Sequence, residues 1–230
     1  MSKPKLLALT RERPLLQVAL DFNNIASASS VALETYLGGA HIIEIGTPLV
    51  KSYGIYAVTV FRSMFKDRLV VVDTKTVDAS RMELEIFLRE GVDGVTVLGL
   101  AEDEVIKEAL SICSEYNTVL IVDLIHLSSP IDRALRLSDL GVQVFVLHVG
   151  VDIQKRRGIT AIQLLREVEE LSKSNVIVAV AGGIKPENAH IFVQHGARIV
   201  IIGSAITRAK DPKKATELAI KNISEAKIFK

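Results

Sequence analysis

The sequence predicts an α/β protein that folds as a single-domain (β/α)8 barrel. The evidence for this prediction is the pattern of its apolar segments. Eight short runs rich in valine and isoleucine recur along the 230 residues, and their first residues lie 23 to 34 positions apart. Near-continuous apolar runs of this length are typical of parallel strands covered on both faces. Each interval has room for the crossover helix that parallel neighbours require. Eight such units in one chain favour a closed barrel.

The elements can be assigned in order. The eight predicted strands are Leu16–Leu20, His41–Ile45, Leu69–Val72, Gly94–Leu98, Thr118–Val122, Val142–Leu147, Val176–Ala181 and Ile199–Ile202. One helical pattern is expected in each interval; for example, an apolar stripe precedes Gly91 at Met82, Leu84, Phe87 and Leu88. Asp211-Pro212 is typical of a helix start and opens a last helix through about Ile223. We therefore expect one domain over residues 1–230, with its core at about 15–208.

The main alternative fold is an open, doubly wound sheet. The first strand is followed by Asp21-Phe22-Asn23-Asn24 rather than by the glycine-rich turn of a dinucleotide-binding sheet. The chain also has no Pro/Ser/Gly-rich linker and no low-complexity segment. The barrel is the better prediction.

Composition excludes several classes of function. The 28 Lys and Arg nearly balance the 27 Asp and Glu, which argues against nucleic acid as the main partner. The single cysteine, Cys113, excludes an intrachain disulfide and a cysteine-based zinc site. The N-terminal apolar run is too short for a secretory signal, and no stretch approaches the roughly 18 apolar residues of a membrane span. We expect a cytoplasmic protein that binds no membrane.

Polar residues end most of the predicted strands, and in a barrel these ends surround the active site. Ionisable groups end the first, second, third, fifth and sixth strands, whereas the seventh and eighth end in glycine. The residues are Asp21, Glu44, Asp73, Asp123 and His148, followed by Gly182-Gly183 and Gly203-Ser204.

The two glycine-containing segments are candidate phosphate-binding loops. Gly182, Gly183 and Gly203 would let the backbone approach an anion closely, and Ser204 can begin a short helix whose N–H groups point at a phosphate. The loops after the seventh and eighth strands are a frequent phosphate site in such barrels. Alternatively, the glycines only permit tight turns between strand and helix.

The charged side of the barrel contains Asp73-x-Lys75-x-x-Asp78. Alternation along the third strand places Asp73 and Lys75 on one side of the chain, with Asp78 in the following loop. Two carboxylates flanking the ammonium would keep Lys75 charged and fixed in position. Glu44 could join Asp73 in a Mg²⁺ site, since Mg²⁺ takes one or two carboxylates plus water and substrate oxygens. Alternatively, these charges form a salt-bridge network that only organises this end of the barrel.

His148 ends the sixth strand, and a histidine at that point can exchange protons with a substrate near neutral pH. A single histidine is more often structural, so the position alone does not establish a catalytic role.

Taken together, these residues resemble the orotidine 5′-monophosphate decarboxylase superfamily and, within it, the 3-hexulose-6-phosphate synthase family. The resemblance covers about Leu16 to Thr207. Its motifs are Gln17-Val18-Ala19-Leu20-Asp21, Ile43-Glu44-Ile45-Gly46-Thr47-Pro48-Leu49, Asp73-x-Lys75-Thr76-x-Asp78-Ala79, Thr96-Val97-Leu98-Gly99, Val122-Asp123-Leu124-Ile125, His148-x-Gly150-x-Asp152, Val178-Ala179-Val180-Ala181-Gly182-Gly183-Ile184 and Ile202-Gly203-Ser204-Ala205-Ile206-Thr207.

The resemblance implies an aldehyde-lyase of the ribulose monophosphate pathway. It would add formaldehyde to D-ribulose 5-phosphate, or run the reverse reaction, through a 1,2-enediolate with Mg²⁺ as cofactor and Mn²⁺ as an alternative. It also implies a homodimer with shared active sites and, as a functional partner, a hexulose-phosphate isomerase.

The resemblance further implies roles for individual residues. Glu44 and Asp73 would bind the metal, Lys75 would stabilise the enediolate oxygen, and His148 would shuttle protons. Asp78 would reach into the neighbouring subunit's site. The substrate-binding residues would be Asp21, Gly182, Gly183, Gly203 and Ser204.

The nearest alternative activity is that of 3-keto-L-gulonate-6-phosphate decarboxylase. That relative typically has an arginine three residues after the histidine, and here the position is Val151. Val149, Thr74 and Ser80 depart from the usual synthase residues Thr, Leu or Met, and Gly. A non-catalytic phosphosugar-binding barrel is the remote alternative, and the full set of charged residues argues against it.

Overall fold

The computed structural model describes residues 4–227, so the first three and last three residues of the expected domain lie outside the described range. Eight parallel strands close into a barrel in chain order, and the first strand pairs with the eighth. The predicted (β/α)8 fold is confirmed. The strands, β1 to β8, are Leu15–Leu20, Ile42–Ile45, Leu69–Thr76, Gly94–Leu98, Val119–Asp123, Val144–His148, Ile177–Ala181 and Ile199–Ile202.

Twelve α-helices lie within residues 4–227. In order, α1 to α12 are Lys5–Glu12, Ile25–Leu37, Thr47–Tyr53, Ile55–Met64, Ser80–Leu88, Asp103–Glu115, Pro130–Asp139, Val151–Arg157, Leu165–Ser172, Ala189–Gln194, Ser204–Thr207 and Pro212–Glu225. The intervals after β2 and β6 each contain two helices rather than the single one expected, because Gly54 and Gly158 adopt positive φ and interrupt them. None of the helices in this range is long and apolar enough to cross a bilayer.

The third strand differs most from its prediction. It continues to Thr76, four residues beyond the predicted end at Val72, and its register with β4 shifts between these two positions. Lys75 adopts a φ of +48°, so this part of β3 is a bulge rather than regular strand. Met82, which the helical pattern assigns to the apolar stripe of α5, is 78% exposed.

The barrel interior is apolar at the bottom and polar at the top. At its N-terminal end, inward residues such as Leu15, Ile42 and Leu69 form a cluster that Leu6 and Leu7 of α1 cover. A second, larger cluster fills the space between the strands and the surrounding helices. The carboxyl ends of the strands therefore form the open end of the barrel, which we call the mouth.

Candidate active site

Five polar side chains line the upper interior of the barrel, one from each of five neighbouring strands. They are Glu44 on β2, Asp73 on β3, Thr96 on β4, Asp123 on β5 and His148 on β6. Each lies two residues after an inward-facing residue lower in its strand, so strand alternation aims all five into the barrel. Four of them are buried, and the side chain of His148 is 20% exposed.

The ammonium of Lys75 lies between two carboxylates. Its Nζ is 2.9 Å from Asp73 Oδ2 and 2.9 Å from Asp123 Oδ2. The sequence predicts Asp78 as the second flanking group, but no hydrogen bond or ion pair involves the exposed Asp78 side chain within residues 4–227. The second partner of Lys75 is instead Asp123, because the bulge in β3 turns Lys75 back over the barrel.

These contacts keep Lys75 positively charged and Asp123 negatively charged. Burial alone would lower the pKa of Lys75, but Asp123 and Asp73 together raise it above its usual value. Burial alone would raise the pKa of Asp123, but the hydrogen bond from His148 and the charges of His148 and Lys75 lower it to about 2. Lys75 is thus a permanent cation at neutral pH, and Asp123 a permanent anion.

The orientation of His148 follows from the ionised Asp123. His148 Nδ1 lies 2.9 Å from Asp123 Oδ2. Because an ionised carboxylate only accepts hydrogen bonds, Nδ1 must carry the proton in this contact. In the neutral ring, Nε2 therefore has the free lone pair and is the nitrogen able to take a proton from a bound molecule.

Glu44 lies in an electrostatic setting that favours a cation. Its carboxylate is buried and accepts one hydrogen bond, from Gln17 Nε2 at 2.8 Å. Burial, together with the negative charges of Asp73 and Asp21, raises the pKa of Glu44 to about 8. A divalent cation among these carboxylates would remove both the repulsion and the cost of burying the charge.

The donor set fits a hard cation such as Mg²⁺, with Glu44 and Asp73 as the protein ligands. Both are carboxylates, and Mg²⁺ binds through one or two of them and fills its other positions with water and substrate oxygens. Within the described residues no group of three or more His, Cys, Asp or Glu is arranged to hold a metal by itself. A site with two protein ligands is therefore the type that these residues can form.

Asp21 lies at the mouth beside two glycines. A Cβ atom on Gly46 would overlap Asp21 Oδ1, and one on Gly203 would lie 3.6 Å from Oδ2. Burial by the surrounding protein and the charge of Asp73 raise the pKa of Asp21. The glycines leave room for this carboxylate at the edge of the site, which suits a contact with substrate hydroxyls.

The predicted phosphate loops lie at the mouth after β7 and β8. Gly182 and Gly183 have φ values of +118° and +70°, which favour glycine. A Cβ on Gly182 would also collide with Val149 O, so close packing accounts for this glycine without a ligand. Ser204 begins the short helix α11, as expected from the sequence, and its side chain is exposed.

Several neutral residues complete the site but carry no clear signal in the sequence. Thr47 Oγ1 and Thr96 Oγ1 each donate to Asp73, at 2.7 Å, and Gln17 donates to Glu44. Asp123 is recognisable as a strand end, but nothing local indicates that it contacts both Lys75 and His148. Thr47 lies just after the end of the second predicted strand, whereas Thr96 lies in the middle of the fourth, where no local pattern marks it.

The three departures from the synthase pattern are accommodated in the structure. Thr74 donates its hydroxyl to Thr96 O, and Ser80 donates to Val105 O at 2.9 Å, so both polar side chains are satisfied. Val149 is buried against Gly182. None of the three disturbs the charged groups described above.

Comparison with known proteins establishes the family. The family model for orotidine 5′-phosphate decarboxylase / HUMPS matches residues 14–219, nearly the whole barrel. The chain belongs to this family. The resemblance noted in the sequence is thereby confirmed at the level of the family.

Similar proteins of known type indicate which kind of enzyme within the orotidine 5′-phosphate decarboxylase / HUMPS family this chain is. The chain is 36% identical to the 3-hexulose-6-phosphate synthase of Staphylococcus epidermidis, over 88% of this chain and 95% of that protein. It is 34% identical to that of Mycobacterium gastri, over 88% and 96%. The predicted type of enzyme, a lyase of the 3-hexulose-6-phosphate synthase kind, is confirmed by these relatives.

Solved structures agree with this placement in the family. A crystal structure of 3-hexulose-6-phosphate synthase, 33% identical, superposes with a TM-score of 0.86 and covers 91% of this chain and 99% of that one. A KGPDC of Streptococcus mutans, 27% identical, gives the same TM-score over 93% of this chain and 98% of that one.

Proposed function

We propose that the protein catalyses the reversible aldol addition of formaldehyde to D-ribulose 5-phosphate, forming 3-hexulose 6-phosphate. The observation that carries the proposal is the line of contacts from Asp73 through Lys75 and Asp123 to His148. It combines a fixed cation with an oriented base beside two carboxylates suited to a metal. The similarity to synthases over 88% of the chain supports the same reaction.

Glu44 and Asp73 would hold Mg²⁺, or Mn²⁺ in its place. The metal, when bound, supplies positive charge that stabilises negative charge on the sugar oxygens. Gln17 keeps Glu44 oriented, while Thr47 and Thr96 hold Asp73. These hydrogen bonds fix the two carboxylates before any ligand arrives, which reduces the reorganisation that binding requires.

Lys75 would stabilise the enediolate oxygen of the deprotonated sugar. Its paired carboxylates keep it charged, so it is unsuited to act as a base or to form a Schiff base with a carbonyl. A fixed ammonium needs no reorientation as negative charge develops on the substrate. We therefore assign Lys75 an electrostatic role.

His148 would move the proton. Its Nε2 takes a proton from C1 of ribulose 5-phosphate, and the resulting carbon nucleophile attacks the carbonyl carbon of formaldehyde. The same Nε2–H then returns the proton to the former carbonyl oxygen, which completes the hydroxymethyl group. Asp123 stabilises the imidazolium formed in between, because it stays ionised throughout.

The remaining residues would bind the substrate. Asp21 would contact the sugar hydroxyls, and the loops containing Gly182, Gly183, Gly203 and Ser204 would hold the phosphate. The acidic side and the glycine-containing side of the mouth thus suit the two ends of one phosphosugar.

We also propose a homodimer in which Asp78 enters the partner's active site. The exposure of Asp78 and the lack of any described contact in its own chain are consistent with a role across an interface. Exposed apolar side chains lie near it in sequence, at Val77 and Met82. A hexulose-phosphate isomerase as functional partner and a cytoplasmic location remain predictions.

The alternative is decarboxylation of 3-keto-L-gulonate 6-phosphate, which the likeness to a KGPDC supports. The site could form a similar charged intermediate in both reactions, but Val151 supplies no cation for an acidic sugar. A paired assay separates them: formaldehyde consumption with ribulose 5-phosphate against CO₂ release from 3-keto-L-gulonate 6-phosphate. We expect the first to exceed the second, and the reverse ranking would overturn the proposal.

The metal assignment has its own test. EDTA should abolish formaldehyde consumption, and added Mg²⁺ or Mn²⁺ should restore it. Asp73→Asn should lower turnover by a factor on the order of 10² or more, because a ligand charge and a partner of Lys75 are both lost. Full activity in EDTA would contradict the metal site without contradicting the fold or the substrate.

A further inference from the structure

A cavity of about 300 Å³ lies at the closed end of the barrel, opposite the mouth. It is bounded by the C-terminal part of α1 and by the segments that lead into β7 and β8. Thr10 and Arg11 line it from α1, Ser172 from the end of α9, and Asn175 and Arg198 from the two segments. None of these residues takes part in the site described above.

Among the residues that the structure describes, the lining of the cavity contains two arginines and no acidic residue. Arg198 Nε donates to Thr10 O at 2.7 Å, but its two terminal nitrogens make no hydrogen bond and no ion pair among residues 4–227. Burial lowers the pKa of Arg198. Arg11, also on the wall, likewise has no described acidic partner.

A guanidinium at a cavity wall without an acidic partner indicates what the cavity can bind. An arginine remains protonated even when it is partly buried, so its charge must be satisfied by water or by an anion. The terminal nitrogens of a guanidinium form a planar pair of donors that matches two oxygens of a phosphate group. The side-chain amide of Asn175, which has no described hydrogen bond, adds a further donor to the same wall.

We propose that this cavity binds a phosphate group, with Arg198 as the main contact and Arg11 and Asn175 as supporting donors. The ligand is inorganic phosphate or a small phosphate monoester, and the volume suits either. The site is distinct from the one at the mouth, because β8 separates them: Arg198 precedes the strand and Gly203 follows it. The proposal does not depend on which reaction the mouth catalyses.

Binding there would join two parts of the molecule. Arg11 belongs to α1, whereas Arg198 belongs to the segment before β8. Within residues 4–227, the hydrogen bond from Arg198 to Thr10 connects these two parts near the cavity. An anion between the two arginines would hold α1 more firmly against the barrel. The ligand should therefore stabilise the folded protein in proportion to its occupancy.

Backbone amide NMR can test the site because it distinguishes the two ends of the barrel. Full-length protein would be titrated with inorganic phosphate, and separately with glycerol 3-phosphate, at constant ionic strength maintained with chloride. We expect saturable shifts at residues 172–176 and 196–198, in addition to any at 182–183 and 203–204. The tighter of the two ligands identifies the source of the phosphate group.

Variants decide whether Arg198 recognises the ligand. Arg198→Gln should weaken binding at the closed end by about tenfold or more, because a charge-assisted contact is lost. Arg11→Gln should weaken binding less. Because this variant keeps the hydrogen bond from Arg198 to Thr10, it still tests the site if Arg198→Gln folds poorly. Arg166→Gln, an exposed arginine of α9 outside the cavity, is the matched control and should change nothing.

Two results would overturn the proposal. One is the absence of saturable shifts at residues 172–176 and 196–198 with both phosphate ligands. The other is equal shifts in the wild type, in Arg198→Gln and in Arg11→Gln, which would mean that the anion does not contact the cavity arginines. Binding at the mouth is measured in the same spectra and has no bearing on either result.

Discussion

His148 Nδ1 and Asp123 Oδ2 lie 2.9 Å apart, and the same carboxylate oxygen is also 2.9 Å from Lys75 Nζ. One buried oxygen thus orients the proposed proton carrier and the proposed electrostatic group together. Because the two donors approach the same atom, a change in this carboxylate affects both. Asp123 therefore couples the position of Lys75 to that of His148.

Asp123→Asn should reduce kcat by a factor on the order of 10²–10⁴. The asparagine keeps the shape, but it removes the charge that fixes Nδ1–H and stabilises the imidazolium. Asp132→Asn, an exposed aspartate of α7, is a suitable control and should retain wild-type kinetics.

A negative charge at Ser204 tests the phosphate loops. Ser204 is exposed at the start of α11, so Ser204→Asp should fold normally while repelling a bound phosphate. We expect KM for ribulose 5-phosphate to rise by about tenfold or more, whereas Ser204→Ala should have a much smaller effect. An unchanged KM in Ser204→Asp would indicate that the glycines after β7 and β8 serve only the turns.

Subunit mixing tests the shared active site. Lys75→Ala and Asp78→Ala should each be nearly inactive alone, but a mixed dimer would contain one site with both residues intact. An equal mixture, after dissociation and reassociation, should recover about a quarter of wild-type activity. If the mixture stays as inactive as its components while mixed dimers demonstrably form, each subunit must use its own Asp78.

His41 should make the folded protein sensitive to acid. Its Nδ1 accepts a hydrogen bond from Leu16 N at 2.9 Å, and burial together with Arg13 and Arg68 lowers its pKa from 6.5 to about 4. Between pH 6.5 and 4, His41 binds a proton in the unfolded chain but not in the folded chain. The contribution of neutral His41 to the free energy of unfolding is therefore complete above pH 6.5 and is lost as the pH falls towards 4. The slope is at most about 1.4 kcal/mol per pH unit.

The matched variant for this effect is His41→Asn, whose side-chain oxygen can still accept from Leu16. Urea unfolding of both proteins at several pH values gives the comparison. The free energy of unfolding of the wild type should fall more steeply between pH 6.5 and 4 than that of the variant. Parallel curves would show that another group accounts for the acid sensitivity.

The order of the strands in the barrel and much of the candidate site could be predicted from the sequence. Strand alternation and the position of strand ends are local properties, and they are enough to bring Glu44, Asp73, Asp123 and His148 to one end. The first partner of Lys75, Asp73, follows from the same alternation, but the second does not. The second depends on the bulge at a positive φ, which no local pattern in Thr74-Lys75-Thr76 indicates, so the sequence predicts Asp78 where Asp123 is found.

Neutral donors were also difficult to predict. Thr96 lies within an apolar run and is indistinguishable from a strand-forming residue until β3 and β4 are paired in register. Its hydroxyl then donates to Asp73 and accepts from Lys75 N. The choice of which threonine enters the site depends on this pairing between strands more than on the residue itself.

The hydrogen bond between Arg198 and Thr10 joins residues 188 positions apart, at the seat of α1 against the closed end of the barrel. During synthesis on the ribosome, α1 emerges long before the strand that Arg198 precedes. The apolar side chains of Leu6 and Leu7 therefore stay incompletely covered until β8 has been synthesised and the barrel closes. A chain released early, without β8, would expose this helix and become a target for chaperones or aggregation.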